Sequence, residues 1–197
     1  LPGVQKVNVE KGIEPRSSVR IVFHGPARWS LDEAHHVAAL ADVLRIRLRE
    51  DLREERGGVY GVGVNGGISR YPVEKYTFNI TFAADPKRVD ELVAATFDDL
   101  RKLKTEGPSE DFVNRVREQE KREREVSVKE NGFWASQLEY LTWNGLDYSE
   151  IAKAEQRINA VTRDAVKSAA QKYLDETQYV IGVLNPETTP AAAGAAH

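Results

Sequence analysis

The segment EKYTFNITFAAD (residues 74–85) alternates apolar and polar side chains from Tyr76 to Phe82. Successive side chains of a strand point to opposite sides, so Tyr76, Phe78, Ile80 and Phe82 share one face and Thr77, Asn79 and Thr81 the other. A strand with one apolar and one polar face belongs in a sheet covered on one side and open on the other. The chain must therefore supply further strands to pair with this one, and helices to cover a single face.

Both are legible. SVRIVFHG (18–25), rich in β-branched and aromatic residues and ended by Pro26, reads as a strand. VYGVGVNGGISR (59–70) reads as a strand with a bulge or turn at Asn65-Gly66-Gly67, and QYVIGVLNP (178–186) as a closing strand. Between the first two lies a long helical pattern. Ser30 and Glu33 form a capping box that starts it near Leu31. Ala34, Val37, Ala41, Leu44, Leu48 and Leu52 line one face, and Gly57-Gly58 ends it. Pro86 opens a second helix through about Lys104, and Ser109 a third that enters the charge run REQEKREREVSVKE. Asn131-Gly132 interrupts, FWASQLEYLTWNG (133–145) is a short helix, and two more follow before the last strand, the second capped by Thr162. Strands and helices are partly segregated. The expected fold class is therefore α+β, one mostly antiparallel sheet with helices packed on one face. Residues 1–17 read as a lead-in with room for an edge strand at Val7–Val9, residues 18–186 as a single domain, and residues 187–197 as a disordered low-complexity tail.

Composition narrows the function. A chain of 197 residues can bury a core without staples. With no cysteine, disulfides, thiolate zinc sites and cysteine nucleophiles are excluded. A net charge of −3 argues against a nucleic-acid partner, and no apolar run approaches a membrane span. The chain starts at Leu1 and holds no methionine, which reads as a piece or processed product of a longer protein.

The candidate chemistries thin out quickly. The four histidines are His24, His35, His36 and His197, and neither H-E-x-x-H nor H-x-x-E-H occurs. Adjacent His35 and His36 point about 100° apart on a helix and cannot chelate one ion together. There is no G-x-S-x-G elbow, and the glycines of GVGVNGG do not lead into a helix N-terminus that would receive a phosphate. Glu118 with Arg122 and Glu120 with Arg124 are expected as i,i+4 pairs on a solvated face. Trp134, Tyr140 and Trp143 are expected in the core or between helices.

LREERGGVY (52–60) is left. Its ordinary reading is a helix-end arginine followed by a strand tyrosine, and by parity Tyr60 would join Val62 and Val64 in the core. Gly61 and Gly63 would then face the other way, where a backbone can approach closely. The functional reading is that Arg53 and Tyr60 donate to a peptide carbonyl or oxyanion.

In order, the long helix, R-x6-Y into a glycine-rich strand, YTFNITF and a helical run resemble the C-terminal-type, metal-free domain of the pitrilysin, insulin-degrading enzyme and mitochondrial processing peptidase family of inverted-zincin metallopeptidases. The similarity is greatest to bacterial zinc peptidases related to the PQQ-linked protease. KGIEPRSSVRIVFHG (11–25) is similar to the opening of that domain, and the resemblance spans roughly residues 10–186. It implies a substrate-binding, non-catalytic domain of a zinc-dependent endopeptidase that closes a chamber with a zinc-bearing H-x-x-E-H half, in the same chain or another. The peptide substrate and that N-terminal half are the implied partners, and zinc is expected there and not in this chain, which alone would be inactive. By position, Arg53 and Tyr60 would contact substrate near the scissile bond. Thr77, Asn79 and Thr81 would line the chamber. The bacterial members imply a periplasmic location, with the cytoplasm as alternative. Two other classes fit the same residues: a non-enzymatic structural subunit of this fold, and a stand-alone interaction module.

Overall fold

The computed structural model describes residues 2–187. The expected disordered tail lies, except for Glu187, outside the described residues. Five strands form one sheet in the order β1-β5-β2-β4-β3: β1 (Gln5–Glu10), β2 (Ser17–Pro26), β3 (Val59–Ser69), β4 (Lys75–Ala84) and β5 (Tyr179–Asn185). β1 runs parallel to β5, and the other pairings are antiparallel. The lead-in thus contributes an edge strand longer than the three residues its sequence suggested.

The alternation of β4 is kept residue by residue. Tyr76, Phe78, Ile80 and Phe82 are buried, and Thr77, Asn79 and Thr81 are half-buried on the opposite face. In register with them, Val19, Ile21 and Phe23 of β2 face the core and Arg20 the open side. Six helices accompany the sheet: α1 (Leu31–Leu48), α2 (Val89–Glu106), α3 (Glu110–Ser127), α4 (Asn131–Asn144), α5 (Ala154–Asn159) and α6 (Arg163–Tyr173). α1 packs on β3 and α6, α2 packs on α6, and α3 lies against α1 and α5. Leu40, Leu44, Leu48, Leu92 and Leu100 are fully buried with the sheet's apolar face. Burial of such side chains, at roughly 1.5–3 kcal/mol each, is the main favourable term for this architecture.

Several local expectations are corrected. Ser30 accepts the Glu33 N–H at 3.1 Å, but the Glu33 carboxylate reaches Lys172 and Tyr173 of α6 rather than back to the cap. Only half of the capping box forms, because the second half competes with a tertiary salt bridge. β3 does not turn at Asn65-Gly66-Gly67, since Asn65 to Ser69 stay paired with Asn79 to Lys75. The break between α3 and α4 falls at 128–130, just ahead of Asn131-Gly132, which open α4. Glu120 pairs with His35 at 2.8 Å and Arg124 donates to the Ile151 carbonyl at 3.1 Å, so long-range partners displace the i,i+4 pair. Trp134 and Tyr140 are exposed, and Trp143 is 76% exposed; α4 buries only Leu141 and Asn144. Sequence gave those aromatics no polar alternation from which exposure could be read.

Candidate functional site

The site is assembled at the junction of α1 and β3. The helix does not run as a regular α-helix to Gly57. After Leu48 it widens into a π-helical segment, Arg49–Glu55, in which Leu52 is still fully buried. The Arg56 N–H donates to the Asp51 carbonyl at 3.0 Å, and the Gly58 N–H to the Leu52 carbonyl at 3.0 Å. Gly57 closes the turn at φ +56°, where a Cβ is disfavoured. Gly58 is required for a different reason: a Cβ there would lie 2.6 Å from Leu92 Cδ2. π-helical turns recur at functional sites because they redirect side chains at a cost in hydrogen-bond geometry.

Two buried or half-buried ion pairs fix this turn. Arg47 donates from Nε and Nη2 to Asp99 Oδ1 at 2.9 and 2.8 Å, tying α1 to α2. Burial pushes the Asp99 carboxyl above the usual aspartate value, and Arg47 opposes that shift. Arg56 Nε donates to Asp51 Oδ2 at 2.9 Å, and Arg88 Nη1 to the Arg56 carbonyl at 3.2 Å. Arg53 lies on the outside of this braced segment and is exposed.

Tyr60 is 73% exposed, not in the core as parity suggested. The cause is a β-bulge. Val59 opposes Ala84 and Val62 opposes Phe82, so three steps along β3 match two along β4. Val59 and Val64 both remain buried, which the extra residue makes possible, and Tyr60 is turned out. Arg53 on the π-helical segment and Tyr60 near the start of β3 are both exposed, and the two elements lie against each other.

The open face of the sheet carries the polar side of β4. Thr81 Oγ1 lies 3.4 Å from the Gly63 carbonyl, and Arg20 donates to Asn79 Oδ1 at 3.0 and 3.3 Å. Thr77, Asn79 and Thr81 therefore form a polar row next to the glycines of β3. β3 is one edge of the sheet, with no strand on its outer side among the described residues. One carbonyl of this strand, Val64, accepts two hydrogen bonds from Arg45, at 2.9 and 3.3 Å.

No three histidine, aspartate or glutamate side chains among the described residues are placed to hold one metal ion. His35 is engaged with Glu120, and His197 lies outside the described residues. The residues present do not fit a zinc site of the H-x-x-E-H kind. No helix among the described residues is long and apolar enough to cross a membrane.

Known proteins share this fold. A zinc protease PQQL-like protein of Arabidopsis thaliana is 27% identical over 135 residues, 64% of this chain and 14% of its own length. A probable zinc protease PqqL of Haemophilus influenzae is 24% identical over 171 residues, 87% of this chain and 18% of its own. The periplasmic protease PqqL from Escherichia coli superposes with a TM-score of 0.79 at 22% identity, over 95% of this chain and 21% of that one. This chain spans less than a fifth of the length of the curated relatives it matches. The profile of the peptidase M16 inactive domain matches residues 1–120, and the chain belongs to that family as one of its inactive domains.

Proposed function

We propose that this domain is the substrate-binding, non-catalytic part of a zinc-dependent endopeptidase, and that Arg53 and Tyr60 donate to the peptide carbonyl that becomes the oxyanion. The observation that carries the reading is the bulge between Val59 and Val62, where Val59 and Val64 are buried and a large tyrosine is exposed. An exposed hydroxyl next to a bulge and an exposed guanidinium on the adjoining π-helical segment fit a donor pair better than a chain reversal. Such a pair, in a site closed to water, contributes on the order of 3–4 kcal/mol to a developing oxyanion. Thr77, Asn79 and Thr81 line the chamber, and the free edge of β3 offers main-chain groups to an extended peptide. The zinc and its bound water belong to the H-x-x-E-H half, which is the domain's principal partner. The relative from Escherichia coli is a periplasmic protease, and the same compartment is the reading adopted here.

The test is peptide cleavage by the zinc-bearing half with and without this chain. Cleavage that requires both, and that falls with Arg53→Ala, supports the proposal. A zinc-bearing half that is fully active alone contradicts it and favours a structural subunit of the same fold.

A further inference from the structure

The edge strand β3 is long and carries no charge of its own. Its eleven residues, VYGVGVNGGIS, include neither a charged side chain nor a proline, and from Val62 to Ser69 its pairing with β4 is unbroken. An uncovered edge of this kind accepts any extended chain, and proteins restrain such edges with charges, prolines or bulges. The bulge of β3 lies at one end, between Val59 and Val62, and leaves the rest of the strand flat.

A charge reaches the middle of this strand from α1. Arg45 Nε and Nη2 donate to the Val64 carbonyl at 3.3 and 2.9 Å, and Arg45 Nη1 pairs with Asp42 Oδ1 at 2.8 Å. Asp42, one helical turn back, fixes the guanidinium, and its two remaining directions converge on one oxygen. A carbonyl oxygen has two lone pairs, and the two donors take both. The Val64 carbonyl is therefore not shared with β4 and belongs to the outer side of the strand. Among the described residues, Arg45 is the only side chain from outside the sheet that bonds to the main chain of β3. It does so at the central residue of the strand, with 40% of the side chain exposed, where an incoming chain would meet it.

We propose that Arg45 guards the β3 edge: it competes with the N–H of an incoming extended peptide for the Val64 carbonyl, and so limits which peptides can add across the middle of the strand. The inference rests on the proposed peptide-binding role of β3 and adds to it a specificity-determining residue. Alternate residues of an edge strand direct their main-chain groups the same way, so Val62 and Gly66 share the outward direction of Val64. A peptide spans these positions only by displacing the guanidinium. Segments with a continuous row of main-chain N–H groups can do so, and segments interrupted by proline or another N-substituted residue cannot.

The experiment uses the parent protein with EDTA present to suppress turnover, and two fluorescein-labelled Thr/Val-rich peptides of about ten residues, long enough to run along β3. The second peptide is N-methylated at its central amides, so that neither of its sides offers N–H groups there. Arg45→Met keeps the aliphatic stem and removes the donors. It is expected to tighten binding of the unmodified peptide by about threefold to tenfold, read by fluorescence anisotropy, and to leave binding of the N-methylated peptide unchanged. Arg45→Lys keeps the charge and loses the fork, so its affinity should fall between native and Arg45→Met, and it carries the test if the methionine variant folds poorly. Native-like binding of the unmodified peptide by both variants overturns the proposal. So does an equal gain for the N-methylated peptide, which assigns the effect to charge or packing. So does concentration-dependent dimerisation of the variants in place of tighter peptide binding, which assigns the guard to a second copy. If neither the native protein nor the variants bind the peptide, the peptide-binding reading fails and this inference with it; if the native protein binds and the variants bind equally, the guard alone fails.

Discussion

Replacing Arg47 by alanine strips the partner from Asp99, a carboxylate with 2% of its surface exposed. Asp99 Oδ1 loses both of its hydrogen bonds, and Oδ2 is already buried without a partner. Arg47 itself has 36% of its side chain exposed, so the stranded group is the acid. Breaking a buried pair in this direction costs about 3 kcal/mol, at the low end for such pairs because the carboxyl can take up a proton. For a domain of this size that is a fall in Tm of about 6–12 °C. The double variant Arg47→Ala/Asp99→Ala removes the stranded charge and should recover most of the loss, so the two substitutions are strongly non-additive. pH supplies a second check. Burial raises the folded-state value of Asp99 above 3.8, with Arg47 opposing. The stability this group contributes is therefore fully present below the unfolded value and is lost as pH rises through the folded one. Without Arg47 the folded value climbs further, so the gap between native and variant narrows as pH falls from neutral toward 3.8. Urea unfolding followed by circular dichroism at neutral pH and at about pH 5 measures both effects. A double variant no more stable than Arg47→Ala, or a gap that ignores pH, refutes the reasoning.

Gly58→Ala places a methyl 2.6 and 3.1 Å from the Cδ atoms of fully buried Leu92 and should cost about 1–3 kcal/mol, read as a lower urea midpoint. Glu33 behaves oppositely to Asp99 with pH. Burial raises its carboxyl, but hydrogen bonds from Lys172, at 2.7 Å, and Tyr173 outweigh that and hold it below 4.5. Its contribution is present above the unfolded value and lost as pH falls through the folded one, so the Tm advantage of native over Glu33→Gln should vanish in acid. An advantage that persists unchanged at low pH counts against the Lys172 and Tyr173 contacts.

Local signals carried most of the fold. The alternation of 74–85, the Ser30, Ser109 and Thr162 caps and the proline at 86 each determine structure within a few residues, and each lies where its chemistry requires. What escaped depends on distant partners. That β5 inserts between β1 and β2, with β1 parallel to it, follows from no local pattern. The exposure of Tyr60 escaped because parity presumes an unbroken register, and one extra residue between Val59 and Val62 reverses it. Alternating valine and glycine hid the extra residue, because a glycine fits either side of a sheet. An exposed arginine at the helix end was legible in LREERGG, whereas the widened turn that carries Arg53 was not, since π-helical hydrogen bonding leaves no compositional mark.

The most direct test of the donor role is kcat for the parent protein with Tyr60 intact and with Tyr60→Phe, measured at saturating peptide. Phenylalanine keeps the ring and removes only the hydroxyl, so an oxyanion donor predicts a fall in kcat of about tenfold or more, at least about 1.4 kcal/mol of barrier, with KM little changed. An unchanged kcat would contradict the account and leave LREERGGVY as a chain reversal on a chamber wall.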